Sequence, residues 1–122
     1  MKNPVVQWQI VAPQPAALAE FYTKLFGWTV DANNALGYRA IDTGSHGTPG
    51  GIWPSPPGAP PMVQLFVQVD DIDACIAQAL ALGARVLMPK QVLPDGDSMA
   101  LLLDPAGLSM GLMTPRASTA TP

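Results

Sequence analysis

The chain has one cysteine, Cys75, and one histidine, His46, in 122 residues. A lone thiol excludes an intramolecular disulfide framework and fits a reducing compartment, so a cytoplasmic location is expected. Basic residues are scarce: 6 Lys and Arg against 9 Asp and Glu, with no basic cluster, which argues against nucleic acid as a partner. No apolar run is long enough to cross a bilayer, so no membrane partner is expected. Met1-Lys2-Asn3-Pro4 leads into a strand pattern without an apolar leader, and no signal peptide is expected. Only 12% of the residues are charged, which suggests that a second copy of the chain covers part of an apolar surface, as in a homodimer.

What the chain does have is a unit used twice. From Val63 to Val69 the side chains alternate, with Val63, Leu65, Val67 and Val69 on one side and Gln64, Phe66 and Gln68 on the other. Asp70 and Asp71 then offer short carboxylates to the free N–H groups of a first helical turn. Ile72, Cys75, Ile76, Ala79 and Leu80 recur at helical spacing, and Gly83 supplies a left-handed stop. The earlier copy alternates Val6, Trp8 and Ile10 with Gln7, Gln9 and Val11, then opens a helix at Pro15. Leu18, Phe21, Tyr22 and Leu25 form its stripe, and Gly27 ends it. Gln7 and Gln64 stand almost as far apart as Gly27 and Gly83, which marks an internal repeat.

The remaining segments complete each copy. Strands are expected at 28–30, 38–42 and 51–53 in the first half, and at 85–88, 99–103 and 108–113 in the second. Asp31 to Asn34 reads as a turn, Pro89 to Asp97 as a loop, and Pro54 to Pro61 as a proline-stiffened linker. The expectation is one α+β domain over 1–115, with module one at 5–53, linker 54–61 and module two at 62–113. Residues 116–122 are expected to be a disordered tail. Each module reads βαβββ.

AEFYTKLFGW, VDDIDACIAQALALGARV and LLLDPAGLSMGL, spread over residues 5–113, resemble the vicinal oxygen chelate superfamily of glyoxalase I, bleomycin-resistance proteins and extradiol dioxygenases. The resemblance implies two tandem βαβββ modules forming a U-shaped, partly open, eight-stranded mixed sheet around a cavity, usually in a homodimer. It also implies that metal-using members take ligands from the first and last strand of each module. Those places hold Gln7, Gln64, Gly51 and Gly111 here. Two neutral amides and two residues without side chains are a poor donor set for a divalent cation, so no metal and no cofactor is expected.

If the apolar residues of each first strand face the helices, Gln7, Gln9, Gln64, Phe66 and Gln68 face the cavity, with Trp53 beside Gly51 and Met113 beside Gly111. These six, Gln7, Gln9, Trp53, Gln64, Phe66 and Gln68, form the candidate ligand-binding set. Amides on a concave face are costly unless bonded to each other, to water or to a ligand. They suit an uncharged or zwitterionic small organic molecule, as in a bleomycin-resistance-like binding protein. A metal-independent lyase or isomerase, or an orphan accessory domain, is the alternative; such an enzyme needs a titratable group, for which His46, Arg39, Asp42 and Asp97 are the candidates. Asp70, Asp71 and Asp73 read as helix-capping charges, Cys75 as a core thiol and His46 as a solvated loop residue. TGSHGTPGG lies between two strands and has no lysine, so it is no phosphate loop.

Overall fold

The computed structural model describes residues 2–33 and 37–116. Asn34 of the expected turn and 117–122 of the expected tail lie outside them. The elements are β1 (Val5–Ala12), α1 (Pro15–Phe26), β2 (Thr29–Asp31), β3 (Arg39–Asp42), β4 (Gly50–Pro54), β5 (Met62–Gln68), α2 (Ile72–Ala81), β6 (Arg85–Val92), β7 (Ser98–Leu103) and β8 (Ser109–Thr114). The fold is α+β, with two βαβββ modules and an eight-stranded mixed sheet. Two compact units make up the chain: Val6–Leu65, and Met1–Val5 with Phe66–Pro122.

In the unit Val6–Leu65 the strands run in the order β2-β3-β4-β1. β1 pairs with β4 in parallel, while β2–β3 and β3–β4 are antiparallel. Pro15 opens α1, and Gly27, at φ 74°, closes it by donating its N–H to the Thr23 carbonyl. The helix packs on one sheet face through Ala19, Ile41 and Ile52, with Trp8, Ile10, Leu18, Tyr22 and Trp28 around them. The expected stripe is only half right. Leu18 and Tyr22 reach the core, but Phe21 and Leu25 are 55% and 58% exposed. Ala19, buried to 2% exposure, turns the packed arc away from Phe21, and a stripe drawn from large residues alone overlooks it.

In the other unit the order is β5-β8-β7-β6, with β5–β8 parallel and the rest antiparallel. Asp71 caps α2 by accepting the Ala74 N–H at 3.1 Å, and Gly83 follows it at φ 100°. The core is Val69, Ile72, Ala100, Leu102 and Leu112, and Cys75 packs against it with Val67, Ile76 and Ala79. Leu80, placed on the stripe by its spacing, is exposed.

The expected loop from Pro89 is instead strand as far as Val92. β6 stands at the end of the strand order, and its pairing with β7 shifts register between Met88 and Gln91. At an edge bulge a proline forfeits no ladder hydrogen bond, so Pro89 is tolerated inside the strand.

Candidate functional site

Two adjacent glycines organise the candidate site. Gly50 and Gly51 begin β4, and each lies beneath an aromatic ring on an opposite face of the sheet. A Cβ at Gly50 would collide with the Trp8 ring on the helix side. A Cβ at Gly51 would collide with the ring and hydroxyl of Tyr38 on the other side. Glycine is required here for close approach, not for backbone conformation.

The face away from α1 carries the residues of interest. Gln9 pairs with Gly51 and Val11 with Trp53 across the parallel β1–β4 ladder, so Gln9, Gly51 and Trp53 share a side. Gln9 is 5% exposed. Its amide nitrogen donates to Gln7 Oε1 at 2.8 Å and to the Tyr38 hydroxyl at 3.2 Å. Tyr38 in turn donates to the Gly50 carbonyl at 3.3 Å, and its ring lies 4.4 Å, centroid to centroid, from that of Trp53. Gln9 Oε1 is buried and has no hydrogen-bond partner among the described residues. A buried carbonyl left in that state loses its hydration for nothing in return.

The other candidates divide between the units. Gln64, 2% exposed, lies in the same unit and directs its amide at the Met62 sulfur, 2.9 Å away, a weak acceptor. Phe66 and Gln68 belong to the second unit. Phe66 covers Gly111, its partner across β5–β8, so closely that an added Cβ would stand 2.6 Å from the ring. Gln68 pairs with Met113. Asp42 accepts the Gly44 N–H, Arg39 donates to the Gly37 carbonyl at 3.4 Å, Asp73 pairs with Lys90 at 3.0 Å, Asp97 accepts the Arg116 N–H, and His46 is exposed.

Tyr38 is the functional candidate that sequence reasoning missed. It precedes a four-residue strand with no periodicity to mark it, and only pairing of β3 with β4 brings its ring over Gly51. The signal available was the Gly50-Gly51 pair inside a strand, which announces a close approach.

Burial raises the Tyr38 pKa above its ordinary 10.0, with the Gln9 hydrogen bond opposing the shift. The folded state therefore holds this proton more tightly than the unfolded chain does. That contribution to stability is whole below about pH 10 and is lost as pH rises through the raised value. Urea midpoints measured at pH 8 and at about pH 11 should fall further for the wild type than for Tyr38→Phe. Equal falls would show that the hydroxyl gains nothing from its site.

A divalent cation of the kind the resemblance implies does not fit these residues. Gln7 Oε1 already accepts the Gln9 amide, and Gly51 and Gly111 have neither a donor nor room for one. Among the described residues no three His, Cys, Asp or Glu side chains converge on a possible metal site.

A cavity of about 690 Å³ lies on the opposite side of β1, between that strand, α1 and the segment 61–63. Ile10, Leu18, Phe21, Met62 and Val63 line it. This open groove has few polar groups that could orient a ligand, whereas the Gln9 face concentrates them, so the Gln9 face is the better candidate.

Residues 6–113 match the family model described as a glyoxalase-like domain, and the chain belongs to that family, within the vicinal oxygen chelate superfamily. It is 35% identical over 104 residues to "Putative glyoxylase CFP32" of Mycobacterium tuberculosis, which spans 80% of this chain and 40% of that protein. It is 34% identical over 120 residues to "Anthracycline biosynthesis protein DnrV" of Streptomyces peucetius, spanning 83% and 43%. The chain thus spans less than half the length of these curated relatives. Among solved structures, methylmalonyl-CoA epimerase from Mycobacterium tuberculosis shares the fold, with a TM-score of 0.65, 16% identity and coverage of 93% and 88%.

Proposed function

We propose that this domain binds a small, uncharged organic molecule without a metal, on the face formed by Gln7, Gln9, Tyr38 and Trp53, with Gln64 in the same unit. The observation that carries the reading is the Gln7–Gln9–Tyr38 hydrogen-bonded chain beside the Tyr38–Trp53 ring pair. It offers flat apolar surface and neutral polar groups, which favour an aromatic ligand over an ion. A relative named for anthracycline biosynthesis, at 34% identity, is in keeping with an aromatic ligand. Binding is favoured over lyase or isomerase chemistry. The titratable side chain at the centre is a tyrosine, a phenol that is protonated near pH 7 and therefore a poor base there.

The reading extends to a second copy of the chain covering the exposed apolar residues of α1, Phe21, Leu25 and Phe26. Light scattering that gives the monomer mass at micromolar concentration would reject it. Cys75, unpaired and packed on the second core, fits a reducing, cytoplasmic setting. No helix among the described residues is long and apolar enough to cross a membrane.

The test is a titration of ¹⁵N-labelled protein with indole, quinoline and 2-naphthol, following the Trp53 indole N–H. At least one should shift that resonance saturably, with an affinity unchanged by chelator or added Zn²⁺. If none does, or if saturation requires a metal, the proposal fails.

A further inference from the structure

We infer that the ligand of this site is a neutral hydrogen-bond donor, a hydroxyl- or N–H-bearing aromatic, whose proton goes to Gln9 Oε1. The inference rests on the binding reading above and sharpens it to a ligand class. Gln9 is more than nine-tenths buried, and both protons of its amide nitrogen are committed, one to Gln7 and one to Tyr38. Its carbonyl oxygen is buried with no partner among the described residues.

The nearest hydroxyl cannot supply the missing donor, because Tyr38 accepts from Gln9 and spends its own proton on the Gly50 carbonyl. The arrangement is therefore polarised. Every donor on the Gln9 amide is used inside the protein, and the acceptor is left over. A carboxylate or phosphate brought to that oxygen would meet a partial negative charge, with no guanidinium or ammonium in the cluster to offset it. An aromatic body with one O–H or N–H instead satisfies both halves of the site. Its ring extends the Tyr38–Trp53 pair, and its proton meets the orphaned carbonyl. Tyr38 and Trp53 are only partly buried, so an incoming ring can stack on their exposed surface.

A site built around a polar partner discriminates strongly against an analogue that lacks it. Calorimetric titration with 2-naphthol, 2-methoxynaphthalene and 2-naphthoate tests this, because the three share a ring system. The first has a donor, the second has none, and the third has a charge and no donor. 2-Naphthol should bind at least about tenfold more tightly than 2-methoxynaphthalene, and 2-naphthoate should not bind measurably. In Gln9→Leu the tenfold preference for 2-naphthol over 2-methoxynaphthalene should fall to near unity. Should that variant fail to fold, the ¹³C shift of the Gln9 side-chain carbonyl in the wild type serves instead. It should move downfield with 2-naphthol and stay in place with the ether. Equal binding of naphthol and ether, both shifting the Trp53 indole, overturns the donor inference and leaves the aromatic pocket standing. Failure of all three to reach Trp53 overturns the pocket as well.

Discussion

Gly51→Ala is expected to lower stability by about 1–3 kcal/mol, the usual cost of forcing atoms into a filled space. The backbone at Gly51 is not in the left-handed region, so alanine brings no conformational strain. The cost comes from contact alone, since the new methyl would overlap the Tyr38 ring edge and hydroxyl. Tyr38 would have to leave its place over the glycine, giving up its bonds to Gln9 and to the Gly50 carbonyl and its packing on Trp53. The two lost hydrogen bonds, at about 0.5–1.5 kcal/mol each, account for a cost of that size. Urea denaturation measures the sum, and a cycle with Tyr38→Ala isolates the cause. In that background Gly51→Ala should cost under about 0.5 kcal/mol, because nothing remains to collide with. The same penalty in both backgrounds would place the strain elsewhere.

Ile52→Ala should cost more, about 2–5 kcal/mol, since it removes buried methylenes and leaves a cavity that rigid neighbours cannot fill. Ile52 is 0% exposed, lies in β4 between β1 and β3, and packs with Ala19 of α1 and Ile41 of β3. Domains of this size are stable by about 5–15 kcal/mol in all, so the variant should be close to unfolding at 37 °C. Ile52→Val, one methylene smaller, should cost only about 0.5–1.5 kcal/mol. A loss below about 1 kcal/mol for Ile52→Ala would mean that β4 is not the centre of its core.

The tandem modules were legible because each begins with a strand of period two that breaks at a capping position into a helix with a glycine stop. Those signals are local, and Pro15, Gly27, Asp71 and Gly83 act where the pattern put them. Three features were not legible. Tyr38 acquires its place only when β3, β4 and β1 align across more than forty positions of sequence, which no local pattern encodes. Phe21 belongs to the apolar stripe by spacing, yet the packed arc is set by Ala19, too small to announce itself. Pro89 reads as a breaker wherever it occurs, and only its position at a bulge on an edge strand makes it harmless. At the candidate site the glutamines were visible as an alternation. Their polarity, with donors spent and one acceptor over, depends on side-chain geometry that the alternation does not contain.

On the proposed reading, Gln9, Tyr38 and Trp53 make a neutral aromatic-binding site and Gly51 leaves no place for a metal. A crystal structure of the protein grown with both 2-naphthol and Zn²⁺ tests it most directly. The naphthol ring is expected against Trp53 and Tyr38, with its hydroxyl within hydrogen-bond distance of Gln9 Oε1 and no zinc bonded to Gln7. Zinc held by Gln7, or naphthol seated in the apolar groove between α1 and β1 with the Gln9 carbonyl still alone, would contradict it.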